Sequence, residues 1–79
     1  MKVKVVLFGP QARLLPPGTR GNAASFDVEE GTTLAGLLDA VGVPAEGRSY
    51  VQLNGTRQEL AAQVNDGDEV RVIVPLGGG

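Results

Sequence analysis

The hydrophobic period of this chain changes twice. From Lys2 to Phe8 it starts as an alternation of polar and apolar residues and ends apolar on both sides, a strand that becomes buried along its length. After Glu29-Glu30-Gly31 the spacing lengthens. Leu34, Leu37, Leu38 and Val41 fall at i, i+3, i+4 and i+7, one stripe of an amphipathic helix. Thr32 or Thr33 can cap its start, Gly42 can supply a left-handed residue at its end, and Pro44 prevents its continuation. Beyond Pro44 the strand pattern returns. A single helical stripe between strand segments has to lie over one face of one sheet.

The connections set the order of the elements. Gly9 to Gly21 is a long Gly- and Pro-rich excursion in which Leu14 and Leu15 can tuck a short turn against the core. Ala23 to Val28 reads as the hairpin partner of the first strand. Tyr50 to Leu53 leads into Asn54-Gly55, the strongest short hairpin signal, with Thr56 to Gln58 as the return strand. Leu60 to Val64 has no clear period and fits one helical turn. Asp66-Gly67-Asp68 is a turn before a last strand from Glu69 to Val74, which Pro75 ends because it has no N–H to donate. The first and last strands are both Val-rich, as central strands are, and are expected to pair in parallel. The expected class is α+β: a mixed sheet of four or five strands grasping one helix, the β-grasp or ubiquitin-like architecture. Residues 1–74 form the domain and 75–79 a tail.

Composition excludes several chemistries. With 79 residues the chain buries only roughly 60% of its unfolded surface, enough for one core but not for a deep pocket as well. It has no cysteine and no histidine, which removes disulfides, thiolate nucleophiles, imidazole bases and the usual zinc ligands, so no metal site is expected. The net charge is −2 and the basic residues are scattered, unlike a nucleic-acid footprint. No apolar run approaches membrane-spanning length and the N-terminus lacks a signal-peptide core, so a cytoplasmic location is expected. Asp66 and Asp68 flank a turn glycine without the ligand series of a calcium loop. Glu29-Glu30 sits just before a helix start, where acidic groups are favourable or simply solvated.

The reactive candidate is the end of the chain. Gly77-Gly78-Gly79 has no side chain to pack and is costly to order, so it is expected to project as a thin thread carrying a carboxylate. Frayed termini look the same. From Pro75 to Gly79 the reach is roughly 17 Å when extended, at ~3.3–3.6 Å per residue. Strand parity supplies a docking surface beside it. If Val3, Val5 and Leu7 face the helix, Val6 and Phe8 face away, and Ile73 joins them from the last strand, with Pro75 and Leu76 following. An apolar patch rimmed by charge is what a partner-binding surface looks like. Burial of these strand ends under the Leu14-Leu15 loop is the competing expectation.

The whole arrangement resembles the bacterial sulfur carriers of the MoaD/ThiS group. The resemblance is carried by the Val-rich first strand ending in Phe8, the Leu-striped helix after Glu-Glu-Gly-Thr-Thr, and Val51-Gln52-Leu53-Asn54-Gly55. Asp66-Gly67-Asp68-Glu69-Val70, Pro75 and the terminal Gly-Gly complete it. The long excursion containing Ala12-Arg13-Leu14-Leu15 is closer to the small subunit of molybdopterin synthase than to the thiamin carriers. Two departures are a third glycine, Gly77, and Arg13-Leu14 where the molybdopterin type has an Arg-Glu pair. The resemblance implies that the protein is a carrier, not an enzyme, and binds no cofactor itself. A partner E1-like adenylating enzyme, of the MoeB/ThiF type, would use ATP to activate Gly79. A sulfur donor would then convert it to a thiocarboxylate for a sulfur-accepting enzyme such as a molybdopterin synthase large subunit. Gly78 and Gly77 would give the backbone access to narrow channels. The alternative is a ubiquitin-like modifier joined through Gly79 to target lysines, and a third reading is an interaction module with an inert tail.

Overall fold

The computed structural model describes residues 1–73. Five strands form one sheet: β1 (Lys2–Leu7), β2 (Ala23–Asp27), β3 (Val51–Leu53), β4 (Thr56–Arg57) and β5 (Glu69–Val72). One α-helix, α1 (Leu34–Val41), and two 3-10 turns, Gly9–Leu14 and Ala45–Gly47, complete the fold. The sheet order is β2-β1-β5-β3-β4, so the last strand lies in the middle. β1 pairs in parallel with β5, Lys4 opposite Glu69 and Leu7 opposite Val72, and every other pairing is antiparallel. The expected class, α+β β-grasp with a mixed sheet on one helix, is what the chain adopts.

Helix α1 starts and stops where its sequence directs. The Thr33 hydroxyl accepts from the Gly36 amide at 3.1 Å, and Gly42 takes the left-handed conformation, φ 96°, while its amide donates to Leu38. Leu34, Leu37 and Leu38 are fully buried and Val41 nearly so, against Val3, Val5, Leu7, Val51, Val70 and Val72 of the sheet. Burying a leucine stabilises a fold by about 1.5–3 kcal/mol, so this stripe is what holds helix to sheet.

The Leu60 to Val64 segment makes one hydrogen-bonded turn at Leu60-Ala61, where the Ala62 amide donates to the Glu59 carbonyl at 3.1 Å, and does not go on into a helix. Its carbonyls serve α1: the Leu34 amide donates to Ala62 at 2.8 Å and the Ala35 amide to Leu60 at 3.0 Å. Two of the orphan donors at the helix start are satisfied there. The Val64 amide returns a bond to Thr32, and Thr33 bridges Gln63. Strand β5 is also shorter than expected, ending at Val72, and Val74 lies outside the described residues.

The hairpin at Asn54-Gly55 has both residues at positive φ, 53° and 87°, as a tight two-residue turn requires. Asn54 also ties this hairpin to β5. Its Oδ1 accepts from the Glu69 amide at 2.8 Å, its Nδ2 donates to Asp68, and its backbone amide donates to the Glu69 carbonyl. Arg48 fastens the end of α1 in a way no spacing signalled. Its Nε and Nη2 donate to the Val43 carbonyl and Nη2 also reaches Asp39 at 2.7 Å.

Candidate functional site

The cross-strand register divides the side chains between two faces. Val3, Val5, Leu7, Val51, Val70 and Val72 point to α1. On the outer face one row runs Ala23, Val6, Arg71, Gln52, Arg57 and a second runs Ser25, Lys4, Glu69, with Lys2 opposite Asp27 beyond them. Ile73 follows Arg71 by two residues, and its amide donates to the Tyr50 carbonyl at 2.9 Å. Phe8 follows Val6 by two residues. Carried one step beyond Leu7 and Val72, the parallel register sets Phe8 beside Ile73.

Val6, Phe8 and Ile73 of the expected patch thus share one face, with unequal exposure. Phe8 and Ile73 are half-buried, whereas Val6 is only 7% exposed between Ala23 and Arg71. The accessible apolar surface therefore centres on Phe8 and Ile73. Leu15 of the preceding loop packs into the core under the helix, and Leu14 packs against that core, so the 3-10 turn serves the inner side. Pro75, Leu76, Gly77, Gly78 and Gly79 lie outside the described residues.

Two side chains next to this patch were missed in the sequence. The Arg57 guanidinium stacks over the Tyr50 ring, 4.5 Å from its centre, and donates to the Ser49 carbonyl at 3.0 Å. Such a contact fixes a cation over an aromatic face. The available signal was parity: Tyr50 and Gln52 alternate with Val51, and Arg57 is set opposite Gln52 by a two-residue turn.

Glu69 is the acidic centre of the face. Arg71 Nε donates to it at 3.0 Å and Lys4 Nζ lies 3.6 Å away. The Arg71 hydrogen bond, helped by the charges of Arg71 and Lys4, holds the Glu69 carboxyl below the usual carboxylate range. Lys2 pairs with Asp27 at 3.5 Å, both well exposed, so this pair contributes little stability.

The acidic turn has structural work. Asp66 Oδ1 accepts from the Lys2 amide at 2.7 Å, Asp68 Oδ1 from Asn54, and Asp68 Oδ2 from the Asn65 amide at 2.7 Å. Glu29 and Glu30 are exposed. Among the described residues no group of three or more acidic side chains is placed to hold a metal ion, and no helix is long and apolar enough to cross a membrane. A small groove of about 240 Å³ lies between the first 3-10 turn and Pro44, lined by Pro10, Gln11, Arg13 and Leu14. Among the described residues Arg13 is its one charged group.

Solved structures with the same fold extend over the full domain. SAMP1 from Haloferax volcanii superposes with a TM-score of 0.77 at 22% identity, covering 100% of both chains. A Pyrococcus furiosus protein assigned as subunit 1 of a molybdopterin converting factor gives 0.72 at 24% identity, over 95% of this chain and 98% of that one. A chain in the complex of subunits 1 and 2 of the molybdopterin-converting factor from Helicobacter pylori 26695 gives 0.62 at 21% identity, over 100% of each. At these identities the likeness establishes the fold alone. No match was found among curated proteins. Family comparison goes further, for the ThiS family model matches residues 5–79, nearly the whole sequence including its glycine end, and the chain belongs to the ThiS family.

Proposed function

We propose that this protein carries sulfur on the carboxylate of Gly79. As a member of a family of small carriers it is a co-substrate and not a catalyst. The observation that carries the reading is the extent of the family match, which runs through Gly77 and Gly78 to Gly79. A carboxylate is ionised at neutral pH, well above its usual pKa of about 3.3–3.7, and is a poor electrophile. Activation solves this: a carboxylate oxygen attacks the α-phosphorus of ATP on an E1-like enzyme of the MoeB/ThiF type, and pyrophosphate leaves. Hydrosulfide supplied by a sulfur donor then attacks the acyl carbon and displaces AMP, and loss of its proton leaves a thiocarboxylate.

Glycine at the last positions lets the backbone enter a channel too narrow for a Cβ. Phe8, Ile73 and the margin of Val6, continued by Pro75 and Leu76, dock the body of the carrier against its partner. The favoured acceptor is a molybdopterin synthase large subunit. The P. furiosus and H. pylori neighbours, both named as molybdopterin-converting-factor subunits, support that pathway over thiamin, cysteine or a specialised metabolite. The reactions belong to the cytoplasm, where ATP and the activating enzyme are found.

A second reading has its own observation. The H. volcanii neighbour is also described as a small archaeal modifier protein, so conjugation of Gly79 to a lysine is the alternative after the same adenylate. Intact-mass analysis separates the two. With ATP, a sulfur source and an activating enzyme, the mass should rise by about 16 Da as –COOH becomes –COSH, and deleting Gly79 should abolish the shift. Formation of the adenylate without that shift, and with appearance of isopeptide products, would establish the modifier instead.

A further inference from the structure

Charge is segregated between the faces of this protein. The chain as a whole has seven basic and nine acidic side chains. On the outer face of the sheet the balance is reversed: Lys2, Lys4, Arg57 and Arg71 stand against Asp27 and Glu69. The remainder of the chain holds three basic side chains against seven acidic ones. The positive groups also lie at particular places. Lys4 and Arg71 share Glu69, so their combined charge is only half neutralised. Among the described residues Arg57 has no acidic partner; it is held at the β4 edge by Tyr50 and a carbonyl. Phe8 and Ile73 lie at one end of this positive field.

We infer that the outer face of the sheet is built for a protein partner that presents an acidic rim around an apolar centre, with Arg57 and Arg71 as the steering charges. This rests on the docking role proposed above and adds the chemistry of the partner. The charge balance argues against a second copy of this chain on the same face, because two such faces would set positive against positive. An apolar centre at Phe8 and Ile73 is of no use to a polyanion, and the Tyr50 ring is already covered by Arg57, which disfavours a nucleic acid. A partner with acidic side chains gains on both counts. Rim charges of this kind chiefly accelerate encounter and select partners. The contrast with the acidic remainder of the chain orients the approach, because the other surfaces repel the same partner.

The test is association kinetics of the full chain with two immobilised probes, an E1-like activating enzyme and a molybdopterin synthase large subunit, with adenylation followed separately by pyrophosphate release. For at least one probe, raising the salt from about 50 to 300 mM should slow association by about tenfold and leave dissociation nearly unchanged. Arg57→Glu should slow association several-fold at low salt. Glu69→Gln should accelerate it, an opposite change that a folding defect cannot produce. Circular dichroism checks that both variants keep the fold. Salt-insensitive association, or no binding to either probe, overturns the inference. So does tight binding of a single-stranded RNA that Arg57→Glu abolishes. Failure to release pyrophosphate despite salt-sensitive binding would instead refute the role of Gly79 and leave the docking chemistry standing.

Discussion

The two faces of this sheet are made by the same strands and obey different rules. On β1 and β5 the inner face is all valine and leucine, and Val3, Val5, Leu7, Val70 and Val72 have no exposed surface at all. The outer face, one residue out of step, mixes Lys4, Glu69, Arg71, Gln52 and Arg57 with Phe8 and Ile73 at one end. In a chain this small, alternate residues along each strand separate the core from the face proposed above for docking. Stability is concentrated where water is excluded, and the groups left over are free to meet a partner.

The largest difference between the faces should appear on truncating the inner one. Leu37→Ala opens a cavity beneath α1 and is expected to cost about 2–5 kcal/mol, read as a lower urea midpoint. In a domain of this size each kcal/mol corresponds to about 4–8 °C of Tm. Ile73→Ser on the outer face should reverse the pattern. Its stability cost should be about 1 kcal/mol or less, while partner association falls by at least about tenfold. Equal losses of stability in the two variants would remove the division of labour.

The smallest effect is electrostatic. Glu69 has its pKa lowered by Arg71 and Lys4, so its contribution is complete above the ordinary carboxylate value and is lost as the pH falls through its lowered one. Unfolding midpoints at pH 6 and pH 3 should therefore differ slightly less in Glu69→Gln than in the unaltered chain. An unchanged difference would mean that these exposed ion pairs do nothing for the fold.

Much of the architecture was readable in the chain because it is local. The Leu34 to Val41 stripe, its Thr33 cap and Gly42 stop, and the Asn54-Gly55 turn each depend on residues a few positions apart. Parity along β1 and β5 correctly assigned both faces. What was not readable depends on distant partners. Leu60 to Val64 read as one helical turn; the turn stops at Ala61 because the carbonyls of Leu60 and Ala62 are claimed by Ala35 and Leu34, which no local pattern announces. Val6 was expected in the exposed patch, yet close packing between β2 and β5 leaves it almost no surface. Arg48 and Arg57 looked like ordinary solvated cations, and only the folded chain brings Val43 to one and Tyr50 to the other. The candidate site was legible to the extent that it lies on strands; the role proposed for Gly79 rests on the motif and the family match alone.

The parallel pairing of β1 with β5 has a consequence for biosynthesis. The first strand made waits for nearly the last, so during translation the β1–β2 hairpin stays with one edge unpaired until Val72 has been added. A chain stopped before that point lacks the middle strand and holds two hairpins with nothing to join them. Closing so long a loop is slow and costly before the contacts repay it. Truncated products therefore fail to fold and are open to proteolysis, and the cell is left with a population in which a folded body certifies a chain synthesised at least as far as β5.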